Sequence, residues 1–174
     1  MNLEEKTIRT TLIHKGNFLV YENLEVLLPD GNVSSRDVLR HPGGVAILAY
    51  TEENKVLLAE QYRKALDEVT LEIPAGKIDN GENPLETAIR ELEEETGYKS
   101  DNMTFLGKIA TAPGFCDEYL YIYSAKDLKK GIKQGDEDEF INVREYFIDE
   151  LKEMIKQGII KDSKTLAALL YTMI

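Results

Sequence analysis

Between Asn83 and Gly97 the chain specifies both ends of one helix, and that constrains everything around it. Asn83 is an N-cap residue type, Pro84 suits the first helical position, Glu86 stands three residues after the cap, and Gly97 can adopt the left-handed backbone beyond the last turn. At about 100° per residue, Leu85, Ala88, Ile89 and Leu92 fall in one sector, while Glu91, Glu94 and Glu95 fall in a neighbouring one. The spacing therefore predicts an apolar stripe with three carboxylates along one edge. Like charges at i, i+3 and i+4 cost a few tenths of a kcal/mol per pair, and Arg90, one turn from Glu86 and Glu94, relieves only some of it. A hard divalent cation would neutralise the cluster, because Mg²⁺ prefers oxygen ligands and commonly bridges carboxylates to phosphates. The alternative is a solvated acidic face, which is the expectation for Glu86 and Glu93 on the opposite flank.

Composition narrows the remaining choices. The chain has 174 residues with 21 Lys plus Arg against 32 Asp plus Glu, a net charge of −11. No basic block interrupts this acidity, so a nucleic-acid or anionic-membrane surface is not expected. The first twenty residues hold Glu4, Glu5, Lys6 and Arg9 without an apolar signal region, and Val45 to Tyr50 is far too short to span lipid, so the expected location is the cytoplasm. Cys116 with His14 and His41 cannot build an ordinary zinc site, which leaves oxygen ligands for any metal. Cys116 has no sequence-placed base and is expected to pack rather than react.

Alternating and β-branched runs predict strands at 7–13, 18–28, 33–40, 44–50, 55–62, 68–73, 103–111, 118–124 and 140–147, punctuated by Gly, Pro, Asn and Asp. Helical spacing recurs at Leu151, Met154 and Ile155 before Gly158, and at Leu166, Ala167, Leu169 and Leu170 after a cap at Asp162 or Ser163. Strands and helices mix without strict alternation. The expected class is α+β, a mixed sheet packed between helices, with an N-terminal antiparallel piece over 1–40 ahead of the main body over 41–174.

The spacing around the helix carries a resemblance. Gly76, five residues, Glu82, seven residues, then Arg90-Glu91-Leu92, one residue, Glu94-Glu95, one residue, and Gly97 resembles the signature box of the Nudix hydrolases. Tyr98 departs from the aliphatic residue more usual there. The resemblance implies cleavage of a nucleoside diphosphate linked to another group, by water attack with Mg²⁺ or Mn²⁺. It places metal ligands on Glu91, Glu95 and the backbone carbonyl of Ala75, with Glu94 a further ligand or water-orienting group, and gives Arg90 the role of orienting these carboxylates. Glu82 would brace the loop or bind an outer metal rather than act as the base, and Gly76 and Gly97 answer to backbone geometry.

Further features resemble the ADP-ribose pyrophosphatase branch, over about residues 35–170. Arg63 in Gln61-Tyr62-Arg63 can fork onto a phosphate, the alternative being an exposed ion pair. Pro113, in Ala112-Pro113-Gly114-Phe115, stands at an offset after Gly97 that resembles the branch accepting ADP-ribose, the alternative being an ordinary Pro-Gly turn. Asp136-Glu137-Asp138-Glu139 would ordinarily be a solvated loop, but it falls where the branch supplies a general base from an acidic loop, making Glu137 and Glu139 the candidates. Arg36 is a candidate nucleotide contact, and Phe18 and Tyr21 are candidates to stack on adenine, although strand aromatics are more often core. Branch members are homodimers in which N-terminal strands reach the partner, and Phe18-Leu19-Val20-Tyr21 suits such an exchange. The implied reaction converts ADP-ribose to AMP and ribose 5-phosphate. Another nucleoside diphosphate sugar, a dinucleotide, or non-catalytic nucleotide or metal binding are the alternatives.

Overall fold

The computed structural model describes residues 2–135 and 139–172. In chain order the strands are β1 (Lys6–Lys15), β2 (Val20–Leu27), β3 (Val33–Arg40), β4 (Gly44–Ala49), β5 (Lys55–Arg63), β6 (Glu68–Glu72), β7 (Ala75–Lys77), β8 (Tyr98–Lys99), β9 (Asn102–Ala110), β10 (Tyr119–Lys126), β11 (Lys129–Lys130) and β12 (Ile141–Phe147). The helices are α1 (Pro84–Thr96), between β7 and β8, then α2 (Ile148–Lys156) and α3 (Ser163–Tyr171) after β12. All nine sequence-predicted strands and all three helices are present, within a few residues at each end. The three strands that patterning missed, β7, β8 and β11, are two or three residues long, too short to show a period of two.

The chain forms two compact units. The smaller runs to Gly43 and includes Ala110–Tyr119; the larger comprises Gly44–Ile109 and the chain from Leu120 onward. In the smaller unit β1, β2 and β3 form an antiparallel meander. The 110–119 segment joins it through backbone bonds from Leu39 N to Phe115 O at 2.7 Å and from Asp117 N to Leu39 O at 3.1 Å. Every residue of β1 is exposed, including Ile8, Leu12 and Ile13.

The larger unit is organised by β4, whose six residues are all buried. It pairs parallel with β10 and antiparallel with β7, and β9 closes the sheet as β7-β4-β10-β9; a second sheet has the order β12-β5-β6. Because strand side chains alternate, β4 feeds two cores. Val45, Ile47 and Ala49 pack with Ala88 and Leu92 of α1, while Ala46 and Leu48 pack with Leu151 of α2 and Ala168 and Leu169 of α3. The result is a sheet between helices, as the α+β reading expects. Among the described residues no helix is long and apolar enough to cross a membrane.

Helix α1 has the ends its residues specify. The Asn83 side chain accepts from the amides of Leu85 and Glu86 at 3.0 and 3.1 Å, the Glu86 carboxylate accepts from the Asn83 amide at 3.3 Å, and Gly97 takes φ 74° while its N–H donates to Glu93 O. Its buried face, however, departs from the predicted stripe. Leu85 and Ile89 are exposed, and the buried residues are Thr87, Ala88, Leu92, Glu95 and Thr96. The helix is turned toward its acidic edge because that edge packs on β7, where Gly76 leaves room for a carboxylate.

Candidate active site

The turn of α1 toward β7 gathers the acidic edge into a cavity of about 260 Å³ lined by Ala75, Arg90, Glu91, Glu94, Glu95 and Glu139, among others. Gly76 makes this possible by lacking a side chain. A Cβ there would lie 1.9 Å from the carboxyl carbon of Glu91. The sequence reading assigned Gly76 to backbone geometry, but its φ is not positive, and close approach is the physical reason. Gly97, with its left-handed backbone, does answer to geometry.

The carboxylates differ sharply in environment. Glu95 is 5% exposed, and its hydrogen bond comes from the Ala75 amide at 3.2 Å. Burial pushes its carboxyl up to about 8, and the neighbouring Glu91 charge adds to that push. Burial likewise raises Glu91 to about 7 in spite of the Arg90 guanidinium 2.9 Å away. Arg90 is spread over the site. Its Nε and Nη2 fork onto Glu82 at 2.9 Å each, and its Nη1 donates to Glu91 at 2.9 Å and Glu94 at 2.8 Å. Arg90 is thereby held in its charged form, chiefly by Glu82. The expected partner Glu86 is not among these bonds, since its carboxylate is used in the cap. Glu82 also accepts from the Thr87 hydroxyl at 2.9 Å, so it braces the loop, and these bonds hold it down at about 2.

These residues fit a divalent cation. A buried carboxylate with no cationic hydrogen-bond donor, beside a second one, is costly unless a positive ion shares the space. Glu91, Glu95 and the Ala75 carbonyl are all hard oxygen donors. Mg²⁺ keeps several waters and needs only one or two carboxylates from the protein, which such a donor set can supply.

The other sequence candidates are distributed over both units. In the larger unit Glu139 lines the acidic cavity and its charge acts on Glu91 and Glu95; Glu137 lies outside the described residues. Arg63 forks onto Glu72 through Nε at 2.8 Å and Nη2 at 2.6 Å, in a partly buried pair. In the smaller unit Arg36 and Pro113 line a cleft of about 480 Å³ together with Cys116, and Arg36 pairs with Glu5 at 2.6 Å. Phe18 meets His41 edge to face with ring centroids 5.5 Å apart, and the Tyr21 hydroxyl donates to Asp37, which pushes its phenol up. Neither aromatic lines that cleft.

Sequence reasoning missed Glu72 and Lys164. Glu72 is 4% exposed and receives Arg63, the Thr70 hydroxyl at 2.5 Å and Lys164 Nζ. Burial would push this carboxyl up, and the Arg63 and Lys164 cations override it and hold it at about 2. One signal was present: Lys164 stands in the first turn of α3, where a cation opposes the helix dipole and needs a separate reason.

The chain is similar to known proteins over most of its length. A model of the NUDIX domain matches residues 40–169. A methanol dehydrogenase activator of Bacillus methanolicus is 48% identical over 170 residues, which cover 97% of this chain and 92% of that protein. An ADP-ribose pyrophosphatase of Bacillus subtilis strain 168 is 40% identical over 172 residues, covering 98% of this chain and 93% of that one. The crystal structure of an ADP compounds hydrolase shares the fold, with a TM-score of 0.87 at 21% identity over 99% of this chain and 94% of its own. The match extends over most of the chain and well beyond the acidic helix, and the protein belongs to the Nudix family.

Proposed function

We propose that this protein hydrolyses the diphosphate linkage of ADP-ribose to AMP and ribose 5-phosphate, using Mg²⁺, with Mn²⁺ as a substitute. The observation that carries the reading is the buried pair Glu91 and Glu95, both pushed toward neutrality and both facing one acidic cavity. Such a pair is unfavourable alone and is satisfied by a divalent cation. The choice of ADP-ribose is supported by the relative named ADP-ribose pyrophosphatase, which aligns over nearly the whole of both chains.

In this reading Glu91, Glu95 and the Ala75 carbonyl hold the ion, with Glu94 as a further ligand or water-orienting group. The bound cation would screen the diphosphate charge and make a neighbouring water more acidic. Arg90 keeps Glu91 and Glu94 in place while Glu82 keeps Arg90 in place. Glu139 or Glu137 takes the proton of the attacking water, whose oxygen adds to one phosphorus as the bridging P–O bond breaks and the other phosphate leaves. Arg63 offers its outer edge to a phosphate oxygen, and Arg36 and Pro113 contribute to the nucleotide pocket. The smaller unit, with its wholly exposed β1, forms a homodimer interface. An exposed ten-residue edge strand carrying Ile8, Leu12 and Ile13 calls for a cover, and a second copy supplies one.

A panel of nucleoside diphosphate derivatives, incubated with and without Mg²⁺ and analysed by mass, tests the proposal. AMP and ribose 5-phosphate from ADP-ribose, formed only with the cation, are expected. Preferred turnover of a different nucleoside diphosphate sugar or a dinucleotide would replace the substrate, and no turnover of any would remove the enzymatic reading.

A further inference from the structure

Glu72 ends β6, three residues ahead of Ala75, and is almost wholly buried. Four donors converge on its carboxylate: Arg63 Nε and Nη2, the Thr70 hydroxyl, and Lys164 Nζ. That fills the acceptor sites a carboxylate offers. Lys164 also reaches Asp162 at 3.0 Å, and its side chain is 11% exposed. A buried ammonium in the first turn of a helix is unfavourable for both solvation and the helix dipole, so its place in α3 is explained by what it holds.

The consequence falls on Arg63. Two of its three nitrogens are committed to Glu72, and among the described residues Nη1 has no hydrogen-bond partner. The side chain is 39% exposed, and its charge is felt at Glu95 in the acidic cavity. Arg63 and Glu72 alone would form a neutral pair with little attraction for an anion. Asp162, which pairs with Lys164 and whose charge also reaches Arg63, brings the group to two cations and two carboxylates; without Lys164 the Arg63 charge would be outweighed by both acids, and with it the guanidinium keeps a fixed edge for an anion.

We propose that Lys164 is a positioning residue for diphosphate binding, acting through Glu72 to seat Arg63 and to leave its charge available to a substrate phosphate. This rests on the reading of the protein as a diphosphate hydrolase, and the test separates the two. Lys164→Met is compared with wild type by kinetics on ADP-ribose with Mg²⁺ and by calorimetric binding of inorganic pyrophosphate. KM and the pyrophosphate Kd are expected to rise about tenfold, with kcat within about threefold. In a Glu72→Gln background the same substitution should change the pyrophosphate Kd by less than about twofold, because the carboxylate through which Lys164 acts on Arg63 is gone. A purely structural staple between α3 and β6 would lower Tm and leave pyrophosphate affinity alone, and that result overturns the proposal. So does an equal loss in both backgrounds. If Lys164→Met does not fold, Lys164→Gln, which keeps a donor and drops the charge, is expected to show the same loss; unchanged affinity in that variant overturns the proposal. A wild type that binds pyrophosphate in a Lys164-dependent way but hydrolyses no diphosphate derivative overturns the function and sustains the positioning role. A wild type that binds no pyrophosphate overturns both.

Discussion

Replacing Glu95 with Gln should stabilise the protein when cations are removed, although the same change destroys activity. The ordinary value for a glutamic acid is 4.5, and burial holds the folded Glu95 at about 8. A carboxyl raised in the folded state contributes its full stability below about 4.5 and loses it as the pH climbs toward about 8. At pH 7 the unfolded chain has released this proton and the folded chain still holds it, which costs folding about 3 kcal/mol. Glu91 titrates beside it and shares that cost, so removing the charge at Glu95 alone should return about 2 kcal/mol. For a chain of this length that is a Tm higher by about 4–8 °C. Gln keeps an acceptor for the Ala75 amide, so the one bond to Glu95 survives. Thermal unfolding in chelator at pH 7 reads the gain, and repetition at pH 5 should show most of it gone, because half a unit above the unfolded value the cost of holding the proton falls below about 1 kcal/mol. A variant at pH 7 no more stable than wild type would refute the argument that burial of an unbalanced carboxylate shapes this site. Added Mg²⁺ should raise the wild-type Tm and not that of the variant.

Gly76→Ala should cost little stability, since the atoms it meets are the tip of the flexible Glu91 side chain, yet it displaces that carboxylate. Calorimetry should show cation affinity lowered at least ~10-fold with Tm within a few degrees; unchanged affinity would mean that Glu91 is not a ligand. Glu139→Gln and Glu137→Gln should, in whichever residue is the base, lower kcat by ~10²–10⁴ with a modest change in KM. Full rates in both would return the acidic loop to a solvated surface. Ile8→Lys with Leu12→Lys, on the exposed β1, should convert a wild-type dimer to a monomer in sedimentation while leaving Mg²⁺ affinity intact, because the proposed metal ligands lie in the other unit. A wild type already monomeric and fully active at assay concentration would contradict the dimer.

What could be seen in advance depended on how local its cause is. The two ends of α1 have local causes, the Asn83 and Glu86 side chains within three residues of the amides they satisfy and the left-handed backbone open to Gly97, and both formed as expected. The strand β4 was legible as an unbroken apolar run because it is buried on both faces. The facing of α1 was not, since Leu85 and Ile89 have the right spacing for a core and only the tertiary room beside Gly76 turns the helix away from them. Arg63 could be singled out by its place at a strand end. Its partner Glu72 belongs to the next strand and the ammonium that completes the group lies 92 residues further on, a separation that no periodicity records. The smaller unit's capture of 110–119 is of the same kind, made by backbone bonds between Leu39 and residues of a distant turn.

The central claim is that water, assisted by a cation held on Glu91 and Glu95, cleaves a diphosphate. Turnover of ADP-ribose with Mg²⁺ in water enriched in oxygen-18, followed by mass analysis of both products, tests it most directly. One heavy oxygen in either the AMP or the ribose 5-phosphate, with no products when Mg²⁺ is withheld or Glu95 is replaced by Gln, is the predicted result. Undiminished turnover in chelator or in the Glu95→Gln variant, or products without heavy oxygen in a phosphate, would contradict it.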